Sequence, residues 1–152
     1  MRGARRAGCG AALLGLSLMM VPGTVSAAPA CKVTPAKAEE VQMQRLVTAQ
    51  RRAEKVPEVK GNVALKKAGR AKSLAMAKGG RFAHEAILPW AGGRSGGQNI
   101  AMASSASIAF EVMLQSPGHR ANIVSKDWRF TGVGAARSCD GLVYFTLNFL
   151  GR

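Results

Sequence analysis

Apolar residues recur at helical spacing through the first half of this chain and alternate at strand spacing at its end. Between about Ala36 and Lys55, Met43, Leu46, Val47 and Ala53 share one side of a 3.6-residue repeat, with Glu39, Glu40, Arg45, Arg52 and Lys55 largely elsewhere. Pro35 precedes the run and Val56-Pro57 breaks it, which predicts a first helix. After a turn at Gly61-Asn62, Ala64, Leu65, Ala68, Ala71, Leu74 and Ala75 recur at steps of three and four until Gly79-Gly80. That predicts a second helix, whose alanine stripe lets another element approach closely. Residues 86–97 hold Pro89, Trp90 and clustered glycines and read as a loop over or beside a site.

Ser104 to Gln115 predicts a third helix. Ile108, Phe110, Val112, Met113 and Leu114 leave it apolar on most faces, which implies burial between layers. Ser116-Pro117 then starts a short fourth helix, with serine as N-cap and proline in the first turn. The chain finishes with Phe130 to Ala136, a turn at residues 138–141, and Leu142 to Leu150. In the last run Val143, Phe145, Leu147 and Phe149 take one face while Tyr144, Thr146 and Asn148 take the other, so the pair predicts an antiparallel hairpin. Helices first and strands last argue for an α+β fold, with helices packed on a small antiparallel sheet.

The first residues change the picture of where this domain works. Arg2, Arg5 and Arg6 precede an apolar stretch from Ala11 to Val21 and a small-residue site at Val25-Ser26-Ala27, so residues 1–27 read as a signal peptide. The mature chain is then expected to be secreted, with no transmembrane segment, either free outside the cell or associated with the envelope. Of three cysteines, Cys9 leaves with the signal, and the remaining pair in an exported chain, Cys31 and Cys139, reads as a disulfide. It would tether an N-terminal tail of residues 28–36 and stabilise by up to about 4–5 kcal/mol in the chain-entropy model. The alternative for Cys31 is lipidation at a cleaved N-terminus.

Charge is uneven. Residues 32–81 carry 13 Lys/Arg against 4 Glu, while residues 82–152 carry 6 against 4 acids. A basic face on the first two helices would gather an anionic lipid or a cell-wall polymer, or serve only as a solvated surface. Nucleic acid is not expected as a partner, because the chain reads as exported and its basic half has no aromatic before Phe82 on which bases could stack. A monomer is expected.

The two histidines, His84 and His119, hold the candidate chemistry. His119 falls near the third residue of the fourth helix, where the positive end of the helix favours a neutral imidazole. Such a ring can bind a metal, accept a proton, or simply hydrogen-bond to hold its turn. No H-E-x-x-H metalloprotease motif and no Gly-x-Ser-x-Gly nucleophile elbow is present.

Phe82-Ala83-His84, then Gly-Gln-Asn-Ile-Ala at 97–101, then Ser-Pro-Gly-His-Arg-Ala-Asn-Ile at 116–123 follow one another in this order. With Leu46-Val47-x-x-Gln50-Arg51 and Thr131-Gly132-Val133-Gly134, the pattern resembles secreted bacterial members of the CAP superfamily, the SCP-like cysteine-rich secretory, antigen 5 and pathogenesis-related proteins. The resemblance covers about residues 40–150. It implies a CAP-type α-β-α three-layer sandwich over residues 37–152, with His84 and His119 facing each other across a cleft.

Many members hold a divalent metal there with two glutamates. Here the first glutamate position is Gln98, and the second falls near Ser116. Two imidazoles fall short of a catalytic zinc set, so no cofactor is required and zinc at His84 and His119 would be held weakly. Glu85 and Glu111 are the acids that could substitute, Glu111 only if it points inward rather than to solvent. Asn99 is expected to bridge backbone groups of the glycine-rich loop. The ligand cleft expected from the resemblance is thus His84, Gln98, Asn99, Glu111 and His119. The implied function is non-enzymatic binding of a lipid, an amphiphilic ligand or an envelope partner, the alternative being a metal- or histidine-dependent extracellular hydrolase.

Overall fold

Residues 31–86 and 88–152 are described by the computed structural model, and the expected signal peptide and the first residues of the tail lie outside them. Along the chain come β1 (Thr34–Pro35), α1 (Lys37–Ala53), β2 (Lys60–Gly61), α2 (Val63–Ala77) and a 3₁₀ turn (Pro89–Ala91). Then follow β3 (Gly96–Ala103), α3 (Ala106–Gln115), α4 (Pro117–Val124), β4 (Phe130–Arg137) and β5 (Val143–Leu150). The strand order is β1-β4-β5-β3, antiparallel throughout, and β2 adds a two-residue parallel pairing at the start of β4. β3 therefore ends the order.

The alternation in β5 sorts the layers. Val143, Phe145, Leu147 and Phe149 are fully buried against Met43 and Val47 of α1, Ala106, Ala109, Phe110 and Met113 of α3, and Ile123 of α4. Thr146 and Asn148 point the other way and are also fully buried, beneath α2. The result is helix, sheet, helix. The second helix lies very close to the sheet: a Cβ on Gly132 would fall 2.2 Å from the Lys66 nitrogen, and one on Gly134 1.9 Å from the Arg70 nitrogen. Ser73 hydrogen-bonds from inside this contact to Gly134 O and to Thr146 Oγ1, at 3.1 and 2.9 Å.

Four sequence expectations need correction, at Glu40, the third helix, the loop before β3 and the Ser116 cap. Glu40 belongs to the buried stripe of α1, which reads Glu40, Met43, Val47, Arg51. Its carboxylate accepts from Arg70 Nε at 2.7 Å and from the Ala135 amide at 3.2 Å. Burial pushes the carboxyl up, but Arg70, that amide and Lys66 outweigh it and hold it below the usual range. Arg51 is fully buried and donates only to carbonyls: Nε and Nη2 to Pro57 O, Nη1 to Ile123 O and Ser125 O.

The third helix is not buried between layers. It is an outer helix, so only the stripe from Ala106 to Met113 faces inward, and Ile108 and Val112 are 48% and 53% exposed. The expected loop ends early, because β3 begins at Gly96. Ser105 caps α3 by accepting from Ile108 N, whereas the Ser116 side chain makes no cap bond to α4. Cys31 and Cys139 are joined in a disulfide, which occupies the sulfur that lipidation would need. No helix among the described residues is long and apolar enough to cross a membrane.

Gly134→Ala should lower unfolding stability by about 2–3 kcal/mol or more, because backbone on both sides of the α2–β4 contact would have to move. Gly61→Ala, with nothing within 4 Å of its new methyl, should change it by no more than about 0.5 kcal/mol. Urea denaturation of the two oxidised proteins measures both. Equal losses would show that the close approach of α2 does not limit packing.

Candidate functional site at the edge of the sheet

His84 and His119 meet across β3, the strand that ends the sheet. Neighbouring residues of a strand point to opposite faces, and Gln98 and Asn99 use this to hold the two histidine-bearing segments, one from each side. The histidines' ring centroids are 5.7 Å apart, with planes tilted by 50°. His84 is exposed in the connection after α2, which ends at Ala77, so it is not part of a helix end. His119 is half-buried on the first turn of α4.

On the α2 side, Gln98 is almost fully buried. Its Oε1 accepts from the Glu85 amide at 3.0 Å, and its Nε2 donates to Glu85 Oε2 at 2.9 Å and to Asn148 Oδ1 at 3.1 Å. Asn148 Nδ2 in turn donates to Leu65 O of α2 at 3.1 Å. Trp90 Nε1 gives Glu85 Oε2 a second donor at 3.3 Å. The carboxylate next to His84 is thus held by an amide and an indole. Every polar end of the Gln98 side chain is matched, and Gln98 faces its partners rather than open space.

On the other side, Asn99 is fully buried. Its Nδ2 donates to His119 O at 2.8 Å, and its Oδ1 accepts from Asn122 Nδ2 at 2.8 Å. It therefore fixes α4, not the glycine-rich loop as the sequence suggested. Asn122 O accepts from Trp128 Nε1 at 2.8 Å. A Cβ on Gly97 would fall 2.8 Å from the Trp128 ring, so glycine is what lets this support reach the strand.

Glu111 sits on the exposed side of α3. No group of three or more His, Cys, Asp or Glu side chains among the described residues is placed to hold a metal ion, so neither Glu85 nor Glu111 completes a set with the two imidazoles. The residues present do not fit a structural or catalytic zinc, which takes four or three protein ligands. Asn148, Asn122 and Trp128 escaped the sequence reading. Asn148 had one signal, as a polar residue inside an otherwise apolar strand, and Asn122 another, three residues after His119.

Burial holds the His119 pKa below its ordinary value of 6.5, and the neighbouring His84 lowers it further. The ring is therefore neutral at pH 7 and offers a lone pair or one N–H donor. Phe82, two residues before His84, is 49% exposed and packs edge-on against Tyr144 at 6.1 Å. Tyr144 is opposite Met102 on β3, itself 45% exposed. Phe82, Tyr144 and Met102 thus form an apolar group at the far end of β3 from Gln98, joined to His84 through Phe82.

The model of the cysteine-rich secretory protein family, CAP, matches residues 44–149. No protein of curated function matches the chain. Among solved structures it is similar to an extracellular SCP-domain protein of Bacillus anthracis, with TM-score 0.65 and 22% identity over 76% of this chain. It is also similar to a cysteine-rich secretory protein of Staphylococcus aureus, with TM-score 0.63 and 16% identity over 76% of this chain. The chain spans only 41% and 39% of those two proteins. An outer surface protein of Borrelia burgdorferi matches at TM-score 0.69 and 12% identity, over 78% of this chain and 96% of its own.

In a proton NMR titration His119 should show a midpoint below 6.5. In the unfolded chain the same ring takes up its proton near 6.5, so native stability should decline as pH falls from there through the folded midpoint. His84→Ala should raise the His119 midpoint only part of the way, since burial is the larger cause. A midpoint at or above 6.5 in the native protein would contradict this electrostatic picture.

Proposed function

The chain belongs to the CAP family of cysteine-rich secretory proteins, and on that premise we propose that it is a secreted binding protein for an amphiphilic ligand. The polar head of the ligand would lie at His84 and His119, and its apolar part along Phe82 and Met102. The observation that supports this reading is the exposed Phe82, two residues before His84 and packed on Tyr144 opposite Met102: two large hydrophobic side chains half open to solvent, on the histidine segment and on β3, together with imidazoles that can exchange one or two hydrogen bonds.

Secretion draws support from the disulfide and from the Bacillus anthracis relative's being an extracellular protein. A hydrolase has less support. General-base catalysis by His119 would want a carboxylate to orient the ring, and the acid beside this pair, Glu85, is turned to Gln98 and Trp90.

Replacing Gln98 by glutamate would not simply restore a metal site. Its Nε2 now donates to two oxygens, and an acidic oxygen there would oppose the Glu85 carboxylate and Asn148 Oδ1.

The test is displacement of cis-parinaric acid followed by fluorescence. Phe82→Ala and the double change His84→Ala with His119→Ala should each weaken binding about five- to tenfold, equivalent to about 1–1.4 kcal/mol. A concavity of about 580 Å³ between α1 and α2, lined in part by the exposed Val41 and Val63, is the competing place for a fatty chain. Loss of binding in Val63→Asp with none in the edge variants would overturn the assignment, and so would turnover of a bound ester by the wild-type protein.

A further inference from the structure

Part of the fold's positive charge is answered by ion pairs, although Lys37, Arg45, Lys67 and Lys72 on the first two helices form none among the described residues. Arg70 and Lys66 pair with Glu40, Arg52 with Glu58, Arg120 with Glu54, and Arg137 with Glu39. Lys60, Lys126, Arg129 and Arg152, all exposed, line one open basin of about 600 Å³, and none of them forms an ion pair among the described residues. Two carboxylates share the basin, Glu58 and Asp127. Glu58 is held by Arg52 at 2.7 Å, and Asp127 accepts from Ser125 Oγ at 3.3 Å.

The frame of the basin is sheet backbone. Lys60 N donates to Arg129 O at 2.8 Å and Arg129 N to Leu150 O at 2.9 Å, so β2, the start of β4 and the end of β5 bring Lys60, Arg129 and Arg152 together, and Lys126 joins them from the turn after α4. The half-buried rings of Trp128 and Phe130 form part of its wall. None of the large exposed hydrophobic residues, Val41, Val63, Phe82, Met102, Ile108 and Val112, lines it. A membrane partner would want such side chains to insert, whereas a concave site with four unanswered cations and ring surface suits a flexible chain of alternating phosphates and polyol or sugar units.

We propose that this basin binds a phosphodiester-linked polyol or sugar polymer. Phosphates lie against Lys60, Lys126, Arg129 and Arg152, and the carbon skeleton lies on Trp128 and Phe130. The site shares no residue with the histidine edge, so it stands or falls separately from the function proposed there.

Calorimetric titration of the oxidised protein with a synthetic glycerol-phosphate hexamer, beside uncharged maltohexaose, tests it. The hexamer should bind with affinity that falls as salt rises, because bound phosphates release counterions, and maltohexaose should bind at least tenfold more weakly. Lys126→Glu with Arg129→Glu should lower hexamer affinity at least tenfold and reduce the salt slope by about two. Lys60→Ala with Arg152→Ala, which adds no repulsion, should give a smaller loss of about threefold or more. Lys67→Glu with Lys78→Glu, exposed on or just after α2, should stay within twofold. All positions changed are exposed, and an unchanged thermal transition identifies folded variants.

Equal losses from the α2 pair would overturn the basin in favour of diffuse charge. Full affinity in both basin variants would overturn it too. So would a wild-type preference for phosphatidylglycerol vesicles, or for single-stranded DNA of equal charge, over the hexamer.

Discussion

The contact between α2 and the bare backbone of Gly132 and Gly134 is the constraint on which the rest of this structure depends. At that separation only a small side chain such as Ser73 fits between helix and strand and no water layer does, so polar groups under the helix must find partners in each other and in the nearby backbone. Asn148 does so by donating to Leu65 O, which turns its carbonyl to Gln98, and Gln98 then holds Glu85. His84 inherits its place from this line of hydrogen bonds. A helix standing one side-chain layer higher would leave Asn148 and Thr146 in an apolar gap, and the histidine segment would lose its anchor.

Strict alternation made the hairpin legible, since both faces of β5 could be assigned from residues alone. Helices with an alanine or aliphatic stripe were legible for the same reason. The third strand was not, because Gly-Gly-Gln-Asn places two amides at adjacent buried positions, a pattern that reads as loop until their partners on α4 and before the 3₁₀ turn are known. The exposed side of α3 was hidden differently. Apolar residues there describe what the helix could bury, and only the number of layers around it decides what it does bury. Of the site, the two histidines and their meeting were legible from motif order, while the amide and indole supports needed coordinates.

Charge shows the same divide between composition and position. Counting placed the basic surface on the first two helices, where Arg52, Lys66 and Arg70 are ion-paired, yet a cluster of four unpaired cations also collects where distant parts of the chain come together at the start of β4. Arg51 carries the point into the interior. Its guanidinium has carbonyl dipoles around it and no carboxylate partner, so its charge is shared between the C-terminal end of α4 and the turn after α1, and it joins α1 to that end of α4. Burial lowers its pKa but leaves it cationic.

The disulfide links residues 108 positions apart and encloses α1, α2, the histidine connection, β3, α3, α4 and β4 in one covalent ring. A ring cut once is still a single molecule. Residues 78–82, just after α2, and His84 are exposed, and such a segment is the kind a protease cuts first. A nick there would leave two polypeptides joined through Cys31 and Cys139, with every strand of the sheet still attached to its neighbours. The bond therefore separates integrity of the fold from integrity of the chain, because a single cut between Cys31 and Cys139 leaves both pieces covalently joined.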